Sequence, residues 1–548
     1  MRGRIGRQPG AGREKEAAVE KGLKPEAARV LIIGGGVTGT GLARDLALRG
    51  VPSLLVEKRD LAAGASGGNH GLLHSGARYV GSDPEAAREC MEESTLLKRL
   101  APHCIEDTKG LFVAVAGDDE QYVAEFPRLC ANVGLPAKEL DPKTARVMEP
   151  CLSEDVIAAY EVRDATVDPF MLCLDNMSQA RSMGAQMLRN TRVTAFHVDG
   201  GAIRKVLLRN ERNGEEFTLE PELVINASGA WAGFITSMAG VPLSVVHSQG
   251  TLVITQDRLS TRVINRLRMA SDADILVPGG SVSILGTTSV RIDDPDECRP
   301  TVEEVDQMLD DATAMVPILE NTRYIRAYAG VRPLVAETDE NGGAGNGDNG
   351  DRSVSRGYTL IDHAKQGVEN FITITGGKLT TYRFMAEKAG DLACRKLGVD
   401  APCLTRTEPL PPSDAGRWTD PGVAARTWVD RAEEGQVILC ECEMVSSGVV
   451  DFMMRELEQN QDLSALSAMN VRSRVGKGPC QGCFCGPRIT AHLYDEGWMS
   501  AGRGLGELKE FINRRWRGKE PVLWGVPLQQ AELQEALLCG MLELEREF

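Results

Sequence analysis

The sequence predicts an α/β protein, with a Rossmann-like dinucleotide-binding domain first and a small helical, cysteine-bearing domain near the C-terminus. Three observations carry this expectation. A strand, glycine turn, helix, strand and acid follow one another across 30–57, "VLIIGGGVTGTGLARDLALRGVPSLLVE". Further glycine-rich and small-residue segments recur as far as residue 380. After Leu410 the text changes, and cysteines gather in two short clusters.

Val30–Ile33 is a short apolar run, as in a strand buried on both faces. Gly34, Gly36 and Gly39 then spell G-x-G-x-x-G. Residues 40–49 predict a helix, with Leu42, Leu46 and Ala47 at helical spacing. "SLLVE" predicts a second strand ending at Glu57. The glycines permit a tight turn and let backbone N–H groups approach a pyrophosphate at the helix N-terminus, while an acid ~20 positions on accepts from a ribose hydroxyl. A glycine motif alone is weak; the ordered parts around it make it a dinucleotide site.

The next segments point to a flavin rather than a nicotinamide. "AAGASGGNHGLLHSGARYV" lets backbone pass close to a ligand, with Ser66 among its small residues. A second strand-like segment occupies 222–233, "ELVINASGAWAG", where Ala227 and Gly229 again suit close approach. "FITITGGKLTTYRFMAEKAGDLACRKLG" reads as a strand, then Gly376, Gly377 and Lys378, then a helix with Ala386, Ala389, Leu392 and Ala393 on its apolar side. With Leu379 and Thr380, that helix start can present N–H groups and its positive dipole end to the pyrimidine edge of a flavin. Gly330, in "AGVRPL", completes the candidate cofactor contacts.

Length and composition bound the rest. A chain of 548 residues exceeds one core and suggests two to four domains. A net charge of −16 disfavours nucleic acid as a partner. No apolar run approaches the ~18 residues of a membrane span, and the N-terminus lacks the apolar stretch of a secretory signal. Residues 1–28 read as a flexible extension or a misplaced start. The location expected is the cytoplasm, where thiols stay reduced. Of fourteen cysteines, Cys90, Cys104, Cys130, Cys173 and Cys394 read as buried small hydrophobes.

Taken together, "IIGGGVTGTGLARDLALRG", "GGNHGLLHSGARY", "DATVDPF", "VINASGAWA", "DADILVPGG", "ILGTTSVR", "AYAGVRPLV" and "ITGGKLTTYR" resemble the FAD-dependent glycerol-3-phosphate dehydrogenases over about residues 29–400. "NHGLLHSGARY" looks most like the anaerobic members. The resemblance implies a doubly wound FAD domain with an inserted antiparallel substrate domain. It also implies oxidation of sn-glycerol 3-phosphate to dihydroxyacetone phosphate.

Residue chemistry agrees with that substrate. A phosphate monoester needs cations, and arginine's planar fork suits its oxygens. Arg78, Arg332 and Lys378 lie inside the cofactor-like segments; Arg291 and Arg326 are weaker candidates. The C2 hydroxyl must lose a proton, and histidine has the right range. His74 is the first candidate and His70 the second, with Tyr79 placed to orient the substrate. Segment 248–253, "SQGTLV", lacks the histidine that aerobic members carry there and is assigned no function. The acidic, Gly/Asn-rich stretch 336–357 reads as a flexible surface insertion.

In the C-terminal third, Ser447 is expected to cap a helix bearing Val449, Val450, Met453, Met454 and Leu457. "VILCECEM" and "GKGPCQGCFCG" supply Cys440 and Cys442, then Cys480, Cys483 and Cys485. Four thiolates from two loops suit Zn²⁺ or a [2Fe–2S] cluster. The C-x-C with C-x₄-C pattern resembles the bacterioferritin-associated-ferredoxin-like [2Fe–2S] domain, which selects Cys440, Cys442, Cys480 and Cys485, with Cys483 as the alternative ligand. The implied partners are other dehydrogenase subunits, with a membrane anchor among them, and quinone as final acceptor, the chain being peripheral at the inner face of the membrane. FMN remains open as an additional group. The terminal stretch with Trp516 and Trp524 reads as a domain cap or a docking surface. Expected boundaries are 1–28, 29–408, a linker at 409–435, a metal-binding domain at 436–490 and a helical segment at 491–548. The rival readings are part of an amine or opine dehydrogenase, or a non-enzymatic redox scaffold.

Overall fold

A computed structural model describes residues 29–335, 357–431, 435–459 and 465–545. The expected N-terminal extension and nearly all of the acidic insertion lie outside the described residues.

The first unit is organised by a six-stranded sheet. Its strands are β1 (Val30–Ile33), β2 (Leu54–Val56), β3 (Gln186–Leu188), β4 (Leu223–Asn226), β5 (Tyr358–Asp362) and β6 (Phe371–Gly376), in the spatial order β5–β6–β4–β1–β2–β3. All neighbours are parallel except β5 and β6. The run "VLII" is wholly buried because both faces of the sheet are covered. On one face Ile32 and Leu55 pack with Leu42 and Leu46 of helix α1 (Val37–Leu48), Met171 and Leu172 of α2 (Pro169–Ser182), and Ala386, Ala389 and Ala393 of α3 (Tyr382–Leu397). On the other, Leu31, Ile33, Leu54 and Val56 pack against a three-stranded antiparallel sheet through Val193, Val206 and Leu208.

Helix α1 begins three residues before the expected start at 40. Gly36 ends the glycine turn, and the Val37 N–H is already met by Ser66 Oγ at 2.9 Å. Burial of the five isolated cysteines is as expected.

A nine-stranded, mostly antiparallel sheet carries the other half of the first unit. Its long strands Val245–Thr255 and Tyr324–Val335 pair antiparallel, with Gly250 opposite Gly330 and Ser248 opposite Arg332. That register sets cofactor-side and substrate-side residues next to one another.

Contacts divide the described residues between Gly416 and Arg417. The stretch read as a linker is shared out: Leu410 is buried in the first core, and Ala424, on the helix Val423–Asp430, in the second. The second unit is helical, with a small hairpin, Ile438–Cys440 against Val445–Ser446. The expected stripe Val449, Val450, Met453, Met454 and Leu457 is buried with Leu466, Ile489, Leu508 and Phe511. The expected cap is corrected by one residue. Ser446 Oγ accepts the Val449 N–H at 3.4 Å, whereas Ser447 Oγ accepts from the Val437 N–H, because hairpin pairing turns it across the ribbon. Among the described residues no helix is long and apolar enough to cross a membrane.

Candidate active site

A cavity of about 560 Å³ runs from the carboxyl ends of β1 and β2 to the start of α3. Backbone closeness at its near end is enforced by missing side chains. Gly34 has φ +113°, and a Cβ there would lie 2.6 Å from the Ala227 carbonyl oxygen. A Cβ on Gly39 would overlap the Gly34 carbonyl, so α1 can seat on the turn only with glycine there. Gly36 and Ser66 line the cavity at the helix N-terminus. Glu57 Oε2 accepts the Gly35 N–H at 2.7 Å and Oε1 the Arg59 N–H at 2.8 Å. Burial pushes this carboxyl up, and those two N–H donors oppose the push.

Ala227, Gly229, Gly330, Gly376, Gly377 and Leu379 also line the cavity. At Gly330 a Cβ would overlap the Gly68 carbonyl, so two backbones from distant segments meet there. Gly39 and Thr380 do not face the cavity. Thr380 is buried, and its Oγ1 accepts the His74 N–H at 3.1 Å. The next residue after His74, Ser75, donates its N–H to Asp164 Oδ1 at 2.7 Å, and Asn265 holds the other carboxylate oxygen at 3.1 Å. The backbone that carries His74 is therefore fixed at two consecutive N–H groups.

The far end brings together His70, His74, Arg78, Tyr79, Arg332 and Lys378. The ring centroids of His74 and Tyr79 lie 5.4 Å apart, and Lys378 Nζ sits 4.7 Å from the Tyr79 centroid. Burial, with Arg332 and Arg78 nearby, lowers His70 to about 3. Its Nδ1 accepts the Leu72 N–H at 3.3 Å. Arg78 forms an ion pair with the buried Asp274, which also accepts from Arg268 Nε at 2.8 Å and the Ser271 N–H at 2.7 Å. Arg332 donates to the Thr288 carbonyl at 3.2 Å and to Thr287 Oγ1. Its guanidinium lies over Gly250, where a Cβ would be 2.8 Å from Cζ. Gly250 lines the cavity, so the segment to which the sequence assigned no function supports a candidate substrate residue. Arg291 and Arg326 are not among the lining residues.

Sequence reasoning also missed Lys58, Arg59 and Asp296 at the Glu57 end. The first two directly follow the acid, a signal that was available; Asp296 comes from the other sheet's connections.

In the second unit the thiols of Cys440 and Cys485 interact, as do those of Cys442 and Cys480. The Cys485 partnership draws Cys440 down to about 7, while burial pushes Cys442 up to about 11. Cys483 turns elsewhere, with Sγ 3.8 Å from Lys519 Nζ. Among the described residues no three of these sulfurs lie within 4.8 Å of one another. His103, Cys104 and Asp175 do, but Asp175 already accepts from His103 Nε2 at 2.8 Å and the Ser413 N–H at 3.1 Å.

The cavity and its glycine cradle define a class, the FAD-dependent oxidoreductases, whose family model matches residues 29–383. The A-subunit of the anaerobic glycerol-3-phosphate dehydrogenase of Escherichia coli K12 is 41% identical over 94% of this chain and 97% of its own length. The A1-subunit of the Haloferax volcanii enzyme is 38% identical over 93% and 89%. The chain therefore belongs to the FAD-dependent oxidoreductases and, within them, to the family of anaerobic glycerol-3-phosphate dehydrogenase A-subunits. A glycerol-3-phosphate dehydrogenase from Bacillus halodurans, solved in complex with FAD, shares the fold: TM-score 0.66, 21% identity, 94% of this chain and 99% of that one.

Proposed function

We propose that the chain oxidises sn-glycerol 3-phosphate to dihydroxyacetone phosphate and passes the electrons through an iron–sulfur centre to partner subunits and membrane quinone. One observation carries the first half: three cations and two histidines line one end of a cavity whose other end is a dinucleotide cradle. FAD fits that cradle, because at Gly34 and Gly330 backbone segments meet so closely that a Cβ would strike the Ala227 or Gly68 carbonyl, which leaves the cavity lined there by bare backbone, and it would supply the acceptor for the hydride leaving C2.

The chain's own residues do the rest. Arg332 and Lys378 take the phosphate, Arg332 with a planar fork that can engage two oxygens. Arg78, balanced by Asp274, holds the substrate-side wall. His74 accepts the C2 hydroxyl proton. His70 is the poorer base, since it stays neutral down to about 3 and a useful base titrates near the working pH. Tyr79, between His74 and Lys378, orients the substrate.

For the second half, Cys440 with Cys485 and Cys442 with Cys480 are the proposed ligands of a [2Fe–2S] cluster, which supplies a one-electron carrier. Tetrahedral zinc at ~2.3 Å from each sulfur would draw all four within about 4 Å of one another. The C-x-C spacing of Cys440 and Cys442 is what favours the cluster over zinc, whose knuckles use C-x₂-C. The turn of Cys483 toward Lys519 favours Cys485 as the fourth ligand. FMN has no site assigned to it in this reading. The chain would sit at the inner membrane face through its partners.

Flavin-loaded protein assayed with an artificial electron acceptor tests the substrate. Turnover of glycerol 3-phosphate is expected; turnover of amino acids alone would sink the proposal in favour of an amine dehydrogenase.

A further inference from the structure

At its Glu57 end the cavity is bordered by Lys58, Arg59 and Trp231 from the flavin-side sheet's loops. Asp294 and Asp296 border the same end, but they come from the other half of the unit, between the strand Val290–Ile292 and the helix Val302–Thr313. With Glu57 at the ribose, this end is where the adenine of the cofactor belongs.

Two ties hold that crossing segment down. The Asp296 carboxylate accepts from Lys58 Nζ at 2.8 and 2.9 Å, from Trp231 Nε1 at 3.2 Å, and from Arg59. Lys58 Nζ also lies 4.0 Å from the Trp231 ring centroid, so ammonium, indole and carboxylate form one closed set. Against the pull of burial, Lys58, Trp231 and Arg59 hold the Asp296 carboxyl below its ordinary range. The second tie is the buried His247. Its Nε2 lies 2.8 Å from the Ala230 carbonyl and its Nδ1 3.1 Å from the Asp293 carbonyl, which spans the cofactor loop and the strap. Within the strap, Asp294 Oδ1 accepts the Asp296 N–H at 2.8 Å and sets the short turn Pro295–Glu297 that aims the carboxylate.

We propose that residues 293–297 form a clasp that retains the adenine end of FAD, with Asp296 as its holding residue. The clasp joins segments far apart in sequence, and neither the catalytic cations nor His74 take part in it. Opening it breaks a cluster of charge-assisted hydrogen bonds at a half-exposed site, where salt screening is strong. The inference rests on the flavin site alone and not on the identity of the substrate.

Its test is the rate of FAD release from the holoprotein, followed by free-flavin fluorescence after dilution. Asp296→Asn and Lys58→Gln are each expected to speed release about fivefold or more, and the double variant no more than the faster single. Release from the unaltered protein is expected to quicken between low and about 0.5 M salt, while Asp296→Asn stays flat. Unchanged release in both single variants overturns the clasp, and so does equal salt sensitivity of the unaltered and Asp296→Asn proteins. Should Asp296→Asn fail to fold, Lys58→Gln and the salt series decide alone.

Discussion

Replacing Gly250 by alanine adds one methyl group directly beneath the Arg332 guanidinium. The new Cβ would lie 2.8 Å from Cζ and 2.9 Å from Nη1, against an ordinary contact of about 3.5 Å or more. The guanidinium is the far end of a flexible side chain, so it yields before the strand does. It must move by roughly 1 Å to restore that contact, and the two-pronged phosphate contact proposed for it would become one-pronged at best. A hydrogen bond to a charged group is worth about 1.5–3 kcal/mol, so losing one of the two prongs costs at least about 1.5 kcal/mol, or about tenfold or more in apparent affinity. Steady-state kinetics with glycerol 3-phosphate and an artificial acceptor, at matched FAD content, should show KM raised about tenfold or more. The kcat should change by less than about threefold, because phosphate binding is felt by ground and transition states alike. Arg332→Lys should look much the same, and the double variant should be less than additive. An unchanged KM in Gly250→Ala would refute the placement of the phosphate against Arg332.

His74→Gln should lower kcat by about 10²–10⁴-fold with FAD still bound; His70→Gln should leave the pH profile between about 5 and 8 in place. His70 is lowered from 6.5 to about 3, so the unfolded chain takes up its proton first. The stability that neutral His70 contributes is present above about 6.5 and lost as pH falls toward 3, so melting temperatures in mild acid should drop less in His70→Gln. Gly330→Ala forces the strand away from Gly68 and should yield protein with little bound flavin, read from its visible absorbance. Anaerobically purified Cys485→Ser should lack iron–sulfur absorbance, and Cys483→Ser should retain it; the reverse outcome would exchange the two ligands.

What can be read from sequence is what depends on neighbours along the chain. The turn at Gly34–Gly39, Glu57 at the end of β2 and the stripe from Val449 to Leu457 each follow from local spacing. What cannot be read depends on pairing across distance. Arg78 reads as a free cation until Asp274 is seen beneath it, 196 positions away. Gly250 looks silent until the register sets it opposite Gly330, under Arg332. Thr380 stands at a helix start suited to the cofactor, but its side chain instead secures the backbone of His74. Ser446 and Ser447 differ only in which way a hairpin turns them, and no local pattern distinguishes two adjacent hydroxyls. The cysteine clusters are legible as a set, and the extra thiol finds its place only when Lys519, from a later helix, is seen beside it.

The central claim is that one cavity oxidises glycerol 3-phosphate and that the electrons leave through the thiol-rich unit. The direct measurement is the visible spectrum of the anaerobic, fully loaded protein during titration with glycerol 3-phosphate. Flavin and iron–sulfur bands are both expected to bleach. Bands unchanged by glycerol 3-phosphate but bleached by dithionite would contradict the claim.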